Sequence, residues 1–487
     1  MTSLTFYGGV NEIGGNKILL EDGKTKIFLD FGMSFSQASQ FFAEFLQPRK
    51  CNGVLDFIEF GLLPNLEGLY RQDYEEHCRR KHIEKPLVDG ILLSHAHMDH
   101  NAYIHHIRND IPIYSTQASK DVMHALDETG SSGFCELIDM KESFKCGPKK
   151  TGGYKRLDSR DIPPKPRTFN VIDGKKFKIN ELEIESCPVS HSLPGATAYI
   201  IHTSKGAIVY TGDFRFHGYS GKLTDEFVKR ATDSEPVVMM CEGTRIDETS
   251  QKSEEDVRNE VKKVVEKTKG LVVANFPVRD TDRMKTFFQV AKETDRCLVV
   301  NTKQAYLLKL FEESGIDAPR IGDENIRIFA QRKEWGIICD DRFPKEIRLM
   351  DYDKWEKDFL EHKNLVNYQD IRKDQQKYIF RCDFFELKNL IDITPAKGST
   401  YIRSVCEPFS DEMLIDAKKA ENWLKHFGLL PIHQIHASGH LNHDDLQKVI
   451  DEIRPKTLIP IHTIHPEMFK DLHENVVMPE KEGEYKI

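Results

Sequence analysis

The chain lacks the features that would place it in a membrane, outside the cell or along a nucleic acid by bulk charge. One of its longest apolar runs, Leu271-Val272-Val273-Ala274, is four residues, whereas a spanning helix needs about 20. Met1 to Tyr7 shows neither the charged nor the apolar region of a signal peptide. The ten cysteines never form Cys-x-x-Cys. Most sit beside apolar, strand-like residues, which predicts buried reduced thiols in a cytoplasmic protein. Positive charge is not in excess, and a net charge of −9 argues against non-specific coating of nucleic acid. A nuclease can still draw its positive field from metals and local basic patches. No low-complexity segment or internal repeat is present, and 487 residues exceed one compact core, so two or three domains are expected.

What is present is concentrated at Ile91 to His100. An Ile-Leu-Leu strand end breaks into His95-Ala96-His97-Met98-Asp99-His100, four metal-binding side chains within six residues. Alternation along an extended chain brings His95 and His97 to one point. A helix reading that begins over Asn101 to Arg108 turns Asp99 and His100 toward a second. Imidazoles with a carboxylate suit Zn(II) or Mn(II). Other apolar strands end in the same kind of residue: His191 follows Pro188-Val189-Ser190, Asp213 closes Gly206 to Gly212, and His462 closes Thr457 to Ile461. Asp30 ends a buried-type strand, where an orienting hydrogen bond to a metal-ligating histidine gives a carboxylate its use.

Around these motifs the chain reads as follows. Residues 4–7, 17–20 and 26–30 are short strands, with the glycines at 8, 9, 14 and 15 as turn chemistry. Apolar positions 41, 42, 45 and 46 fit one helical face. Lys141, Lys145, Lys149, Lys150, Lys155 and Arg156 form a basic patch interleaved with Phe144 and Tyr154 and opposed by Glu142. It is either a solvated loop or a nucleic-acid contact. A strand at 236–241 delivers Glu242. Helices at 253–269, 280–293 and 302–313 then alternate with strands at 271–275 and 297–300, which predicts βαβ units around a parallel sheet. Residues 331–390 read as helices and loops. The tail, Pro431 to His440, is rich in histidine and precedes a helix over 444–453.

These motifs resemble the metallo-β-lactamase fold and, within it, the β-CASP nucleases. His95-Ala96-His97-Met98-Asp99-His100 is similar to the superfamily's His-x-His-x-Asp-His, and Asp30, His191 and Asp213 fall at its first, third and fourth motifs. Glu242 is similar to β-CASP motif A, His440 in Ala437-Ser438-Gly439-His440 to motif B, and His462 to motif C. Gly8-Gly9-Val10-Asn11-Glu12-Ile13-Gly14 resembles the opening of ribonuclease J. The resemblance implies an αββα sandwich with an inserted β-CASP domain built on a parallel sheet. Its parts are residues 1–243, an insertion at 244–427, and a return segment at 428–487. A histidine at motif C implies RNA rather than DNA. Without ribonuclease J's C-terminal domain, any homodimer must use another surface.

The resemblance also assigns roles. His95, His97 and His191 hold one divalent ion, most simply zinc, and Asp99, His100 and His462 the other, with Asp213 bridging. His440 donates to the phosphate or the leaving 3′-oxygen, and Glu242 orients His440 or His462. His436 and Ser438 either line the same pocket or form structural hydrogen bonds. Arg279, Arg283 and Ser404 fall at phosphate-contacting turns. The expected activity is hydrolysis of single-stranded RNA, as 5′→3′ exonuclease, endonuclease or both. The rivals are a DNA nuclease, a small-molecule ester or lactam hydrolase, and a non-catalytic processing subunit.

Overall fold

A computed structural model describes residues 1–487 apart from 44, 131, 132, 409 and 410 and the side chain of 411. The chain forms two compact units. The first is Met1–Phe216, Ser220–Ser250 and Gly439–Ile487, and the second is His217–Tyr219 and Gln251–Ser438.

The first unit is an αββα sandwich. One sheet runs, in spatial order, Phe169–Val171, Ile113–Ser115, Gly90–Leu92, Thr25–Leu29, Lys17–Asp22, Thr2–Gly8 and Glu484–Lys486. The other runs Lys176–Ile179, Leu182–Pro188, Thr197–Thr203, Gly206–Tyr210, Val238–Glu242 and Leu458–Ile461. Period-two alternation sorts their side chains. Tyr199, Ile201, Ile208 and Met240 join Leu4, Ile18, Ile27 and Leu29 in a core between the sheets. Ala198, Ile200, Val209 and Met239 on the opposite face pack with Phe227, Val228, Leu446 and Val449, from helices Gly221–Asp233 and His443–Ile453. Leu446, Val449, Ile450 and Ile453 recur at the i, i+3, i+4, i+7 spacing of one helical face.

The second unit is built on a sheet whose pairings are all parallel: Leu365–Val366, Ile326–Phe329, Cys297–Val300, Tyr378–Arg381, Val272–Asn275, Thr400–Arg403 and Ile432–Gln434. Both faces are covered, as parallel sheets require. Val272 and Ala274 meet helices Glu254–Lys267 and Thr281–Glu293 through Val257, Val261, Met284 and Phe287. Val273 joins Phe380, Leu390, Tyr401 and Leu424 on the other side.

Four expectations are corrected. The described residues of 41–46 form no helix: Ala43 and Leu46 pair in an antiparallel bridge, and Phe45 points to solvent. Residues 331–390 contain strands, and Tyr378–Arg381 lies in the middle of the parallel sheet. Four residues that follow Lys377 and end in Arg381 are too short and too charged at their ends to announce a buried strand. The segment from 428 is divided, because Ile432–Gln434 pairs with Thr400–Arg403 in the second unit. Of the ten cysteines, Cys187, Cys241 and Cys382 are buried, whereas Cys51, Cys146 and Cys406 are exposed.

Candidate metal centre

Strand direction assembles the site. In the second sheet of the first unit, Val238–Glu242 pairs in parallel with Gly206–Tyr210 and with Leu458–Ile461, Glu242 lying opposite Ile461. The residues just beyond these strands, Asp213 and His462, therefore emerge on the same edge as Glu242. Leu182–Pro188 runs the same way, two antiparallel pairings removed, and brings His191 to that edge. In the first sheet Thr25–Leu29 and Gly90–Leu92 are parallel, and Asp30 donates its N–H to the Leu92 carbonyl at 2.9 Å. Ser94 to His97 lie outside any strand or helix, His97 with an extended backbone, and helix Met98–Asn101 then begins, earlier than its sequence suggests. Its first turn carries Asp99 and His100.

Three groups of ligand atoms converge, each within 4.8 Å: His95, His97, His191 and Asp213; Asp99, His100 and His462; and Asp213, Glu242 and His440. Asp213 touches all of them. Its Oδ2 lies 3.6 Å from His95 Nε2, 3.4 Å from His100 Nε2, 3.8 Å from His191 Nε2 and 3.9 Å from His440 Nδ1. Its Oδ1 lies 3.8 Å from His462 Nε2. His462 Nε2 is also 3.3 Å from Asp99 Oδ2 and 3.2 Å from His100 Nε2.

The donor set tests whether a cation fits. His191 Nδ1 meets the Gly439 carbonyl at 2.7 Å, so that nitrogen carries the proton. His100 Nδ1 likewise meets Asp30 Oδ2 at 2.7 Å. In a neutral ring the Nε2 of each is then a lone pair, and both face the Asp213 carboxylate. Asp213 Oδ1 is buried with no hydrogen-bond partner among the described residues. Acceptors facing acceptors in a buried pocket repel unless a cation lies between them. Histidine nitrogens and carboxylate oxygens are the ligands that zinc and similar divalent ions take. The residues fit a metal.

In the metal-free chain the electrostatics are divided. Burial, followed by the neighbouring imidazoles, holds His95 and His191 well below the usual histidine range. Burial disfavours charge on His100 as well, but Asp213 and Asp30 outweigh it and raise its pKa well above that range. His440 behaves in the same way. Burial lowers its pKa, yet Glu242 and then Asp213 overcome this and raise it.

A second layer of hydrogen bonds orients these groups. Asp30 accepts from the Ser94 N–H at 2.6 Å, the Ser94 hydroxyl at 2.7 Å and the Tyr210 hydroxyl at 2.6 Å, besides His100. The Asn16 amide donates to Tyr210 Oη at 3.0 Å. Thr244 Oγ1 lies 2.8 Å from His462 Nδ1, and Glu242 Oε1 lies 3.1 Å from His440 Nδ1. Ser94, Asn16, Tyr210, Thr244 and the Gly439 carbonyl have no counterpart in the sequence reading. Tyr210 is a buried strand-end aromatic like several others, and only its neighbours give it a role. Two glycines are required by space. A Cβ on Gly439 would sit 2.8 Å from His191 Cε1. One on Gly14, whose φ is +81°, would sit 2.5 Å from Asp99 Cβ.

The expected substrate-contacting residues lie in the second unit, and there the structure corrects the reading. Arg283 is fully buried. Its Nε and Nη2 donate to Glu254 at 3.2 and 3.0 Å, Nη2 also to the Ala437 carbonyl at 3.2 Å, and Nη1 to the Ser404 carbonyl and hydroxyl at 2.9 and 2.6 Å. A guanidinium has five N–H groups, so none remains for a phosphate. The Ser404 hydroxyl, also buried, donates in turn to the Ile435 carbonyl at 2.6 Å. His436 Nδ1 lies 3.1 Å from Arg283 Nη1, and the Ser438 carbonyl lies 2.7 Å from His217 Nε2. Arg279 differs. Its Nη1 is buried with no hydrogen-bond partner among the described residues, and burial lowers its pKa.

The chain is also similar to known proteins. Residues 64–252 match the model of a β-lactamase superfamily domain, and residues 430–476 that of a Zn-dependent metallo-hydrolase RNA specificity domain. A ribonuclease J from Helicobacter pylori is 26% identical over 49% of this chain, a match that spans 27% of the relative's own length. A ribonuclease J from Mycoplasma pneumoniae is 21% identical over 95% of the chain and 68% of the relative. For ribonuclease J 2 from Streptococcus pyogenes the identity is 23% over 98% and 71%. A crystal structure of a protein of unknown function from Enterococcus faecalis V583 shares the fold, with a TM-score of 0.72, 23% identity and 99% of each chain covered.

Proposed function

We propose that this chain, which carries a β-lactamase superfamily domain and resembles ribonuclease J, is a metal-dependent ribonuclease that hydrolyses phosphodiester bonds of single-stranded RNA. The observation that carries the reading is the convergence of His95, His97, His191, Asp99, His100 and His462 on Asp213, with histidine lone pairs turned toward a buried carboxylate. The match to an RNA specificity domain over 430–476, which includes His440 and His462, supports RNA as the substrate.

His95, His97 and His191 would hold one divalent ion and Asp99, His100 and His462 a second, with Asp213 shared. When bound, such ions supply Lewis acidity toward a phosphodiester and bring the acidity of water near neutrality. The remaining steps belong to side chains. Glu242 fixes the ring of His440 through Nδ1, so the proton passes at Nε2 to the leaving 3′-oxygen. Asp30, held by Ser94 and Tyr210, fixes the tautomer of His100, and the Gly439 carbonyl does so for His191.

The test is digestion of 5′-labelled RNA bearing monophosphate, triphosphate or hydroxyl ends, with and without chelator, beside DNA of the same sequence. RNA is cleaved, chelator stops it and DNA survives. Release of mononucleotides from the monophosphate form alone identifies a 5′→3′ exonuclease. Chelator-resistant cleavage, or equal cleavage of DNA, sinks the reading. His440→Ala should keep its bound metal while turnover falls about 10²–10⁴-fold, the usual worth of a general acid. Wild-type turnover in that variant removes His440 from the reaction.

A further inference from the structure

The basic segment noted in the sequence is left unused by the metal centre. Residues 141–166 hold eight Lys and Arg against three Asp and Glu, in a chain whose net charge is −9. Its middle is a two-stranded antiparallel ribbon, Cys146–Pro148 with Tyr154–Arg156, in the register Cys146↔Arg156, Gly147↔Lys155 and Pro148↔Tyr154. The turn closes through the Lys149 N–H to the Gly153 carbonyl at 2.9 Å.

The ion pairs separate spoken-for charges from the rest. Glu142 is taken by Lys165 at 2.7 Å, Asp158 by Arg160 at 2.5 Å and Asp161 by Lys155, while Lys145 reaches Glu76 at 3.7 Å. Lys141, Lys149, Lys150 and Arg156 have no acidic partner among the described residues. Lys149 and Lys150 sit at the turn. Tyr154 and Arg156, two residues apart on one strand, point to the same side. Leu157 reaches the opposite side, where a Cβ on Gly147 would lie 3.0 Å from its Cδ2. The two aromatics of the segment also part company. Phe144 stacks on His77 with ring centroids 3.6 Å apart, whereas Tyr154 is 76% exposed.

We propose that this ribbon is an accessory RNA-binding surface, with Lys149, Lys150 and Arg156 contacting the phosphates of a single strand and Tyr154 stacking on one of its bases. Like-charged side chains crowded on an exposed turn repel one another, and a polyanion relieves that repulsion while releasing its counterions. An exposed ring beside cations adds a platform for an unstacked base, which single-stranded RNA offers and a duplex does not. The inference rests on the ribonuclease reading for its choice of polyanion and concerns affinity, not chemistry.

The full chain is compared with a Lys149→Gln/Lys150→Gln/Arg156→Gln variant and with Tyr154→Ala. Binding of a fluorescent single-stranded RNA is measured with chelator present, across a range of salt. The triple variant should bind about a hundredfold more weakly at 0.1 M salt, and its plot of log affinity against log salt should be shallower by about two, three contacts at ~0.7 each. Tyr154→Ala should lose about tenfold with no change in slope. With metal restored, all three proteins should hydrolyse a small chromogenic phosphodiester at the same rate. An unchanged slope in the triple variant overturns the proposal. So does equal loss of affinity for phosphatidylserine vesicles and RNA, which would mark the patch as a general anion surface. A wild-type chain that binds RNA through the ribbon but cleaves neither RNA nor the small ester would sink the ribonuclease reading and spare this one.

Discussion

Arg283 in the second unit and Asp213 in the first are both buried charged side chains, and their surroundings differ in kind. Each N–H of Arg283 meets an oxygen of Glu254, Ser404 or Ala437. The network closes on itself and asks nothing of a ligand. Histidine nitrogens surround Asp213, and two of them are lone pairs in a neutral ring because Gly439 and Asp30 hold the proton of the other nitrogen. That network is open by at least one positive charge. Burial of charge is common to both units. What marks function is whether the charges are satisfied from within.

The comparison breaks most directly at Asp213. Asp213→Asn should lose metal from both ligand groups and reduce RNA cleavage to background, as metal analysis of the purified protein would record. Retention of two ions per chain would mean that the open network is not the metal site. The opposite experiment is Arg283→Met. Stranding Glu254 in the core should cost about 3–5 kcal/mol of unfolding free energy, with metal content per folded chain unchanged. Adding Glu254→Gln should recover part of that loss. If Arg283→Met is as stable as wild type but loses RNA affinity, Arg283 is a substrate contact after all.

Lys17 tests an intermediate case. It is buried in the first unit, and its Nζ donates to the Gly15 and Gly32 carbonyls at 2.8 and 3.0 Å. Burial pushes its pKa down to about 8. The unfolded chain, near 10.4, therefore holds the proton longer than the folded one, and stability rises with pH between about 8 and 10. In chelated protein, raising the pH across that window should favour wild type over Lys17→Met by up to about 3 kcal/mol. A difference in denaturation midpoint that stays flat with pH would show that the ammonium has no such cost. The smallest effect is expected at Tyr210→Phe, which removes one of the donors to Asp30. Metal affinity should weaken about tenfold, the low end for such supporting bonds, and titration against a competing chelator measures it. No change would confine Tyr210 to packing.

Much of this was legible in the chain itself. Apolar strands ending in His, Asp or Glu advertise themselves, because a buried strand has no other reason to end in a ligand. The alternating strands and helices after Glu242 likewise specify a parallel sheet. Tyr378–Arg381 was not legible, since four residues that follow a lysine and end in an arginine carry no periodicity, and it is their place between Cys297–Val300 and Val272–Asn275 that makes them a strand. Nor was the fate of Arg283, because a sequence shows that a guanidinium is present but not whether its donors are already taken. The chemistry of the ligands is a property of residue types and was decided by the sequence. Which strands run in parallel, so that Asp213, Glu242 and His462 leave them at one edge, depends on hydrogen bonds between segments distant in the chain, such as Met239 and Leu458. Only the tertiary structure decides that, and with it whether each buried charge is answered from within or left open.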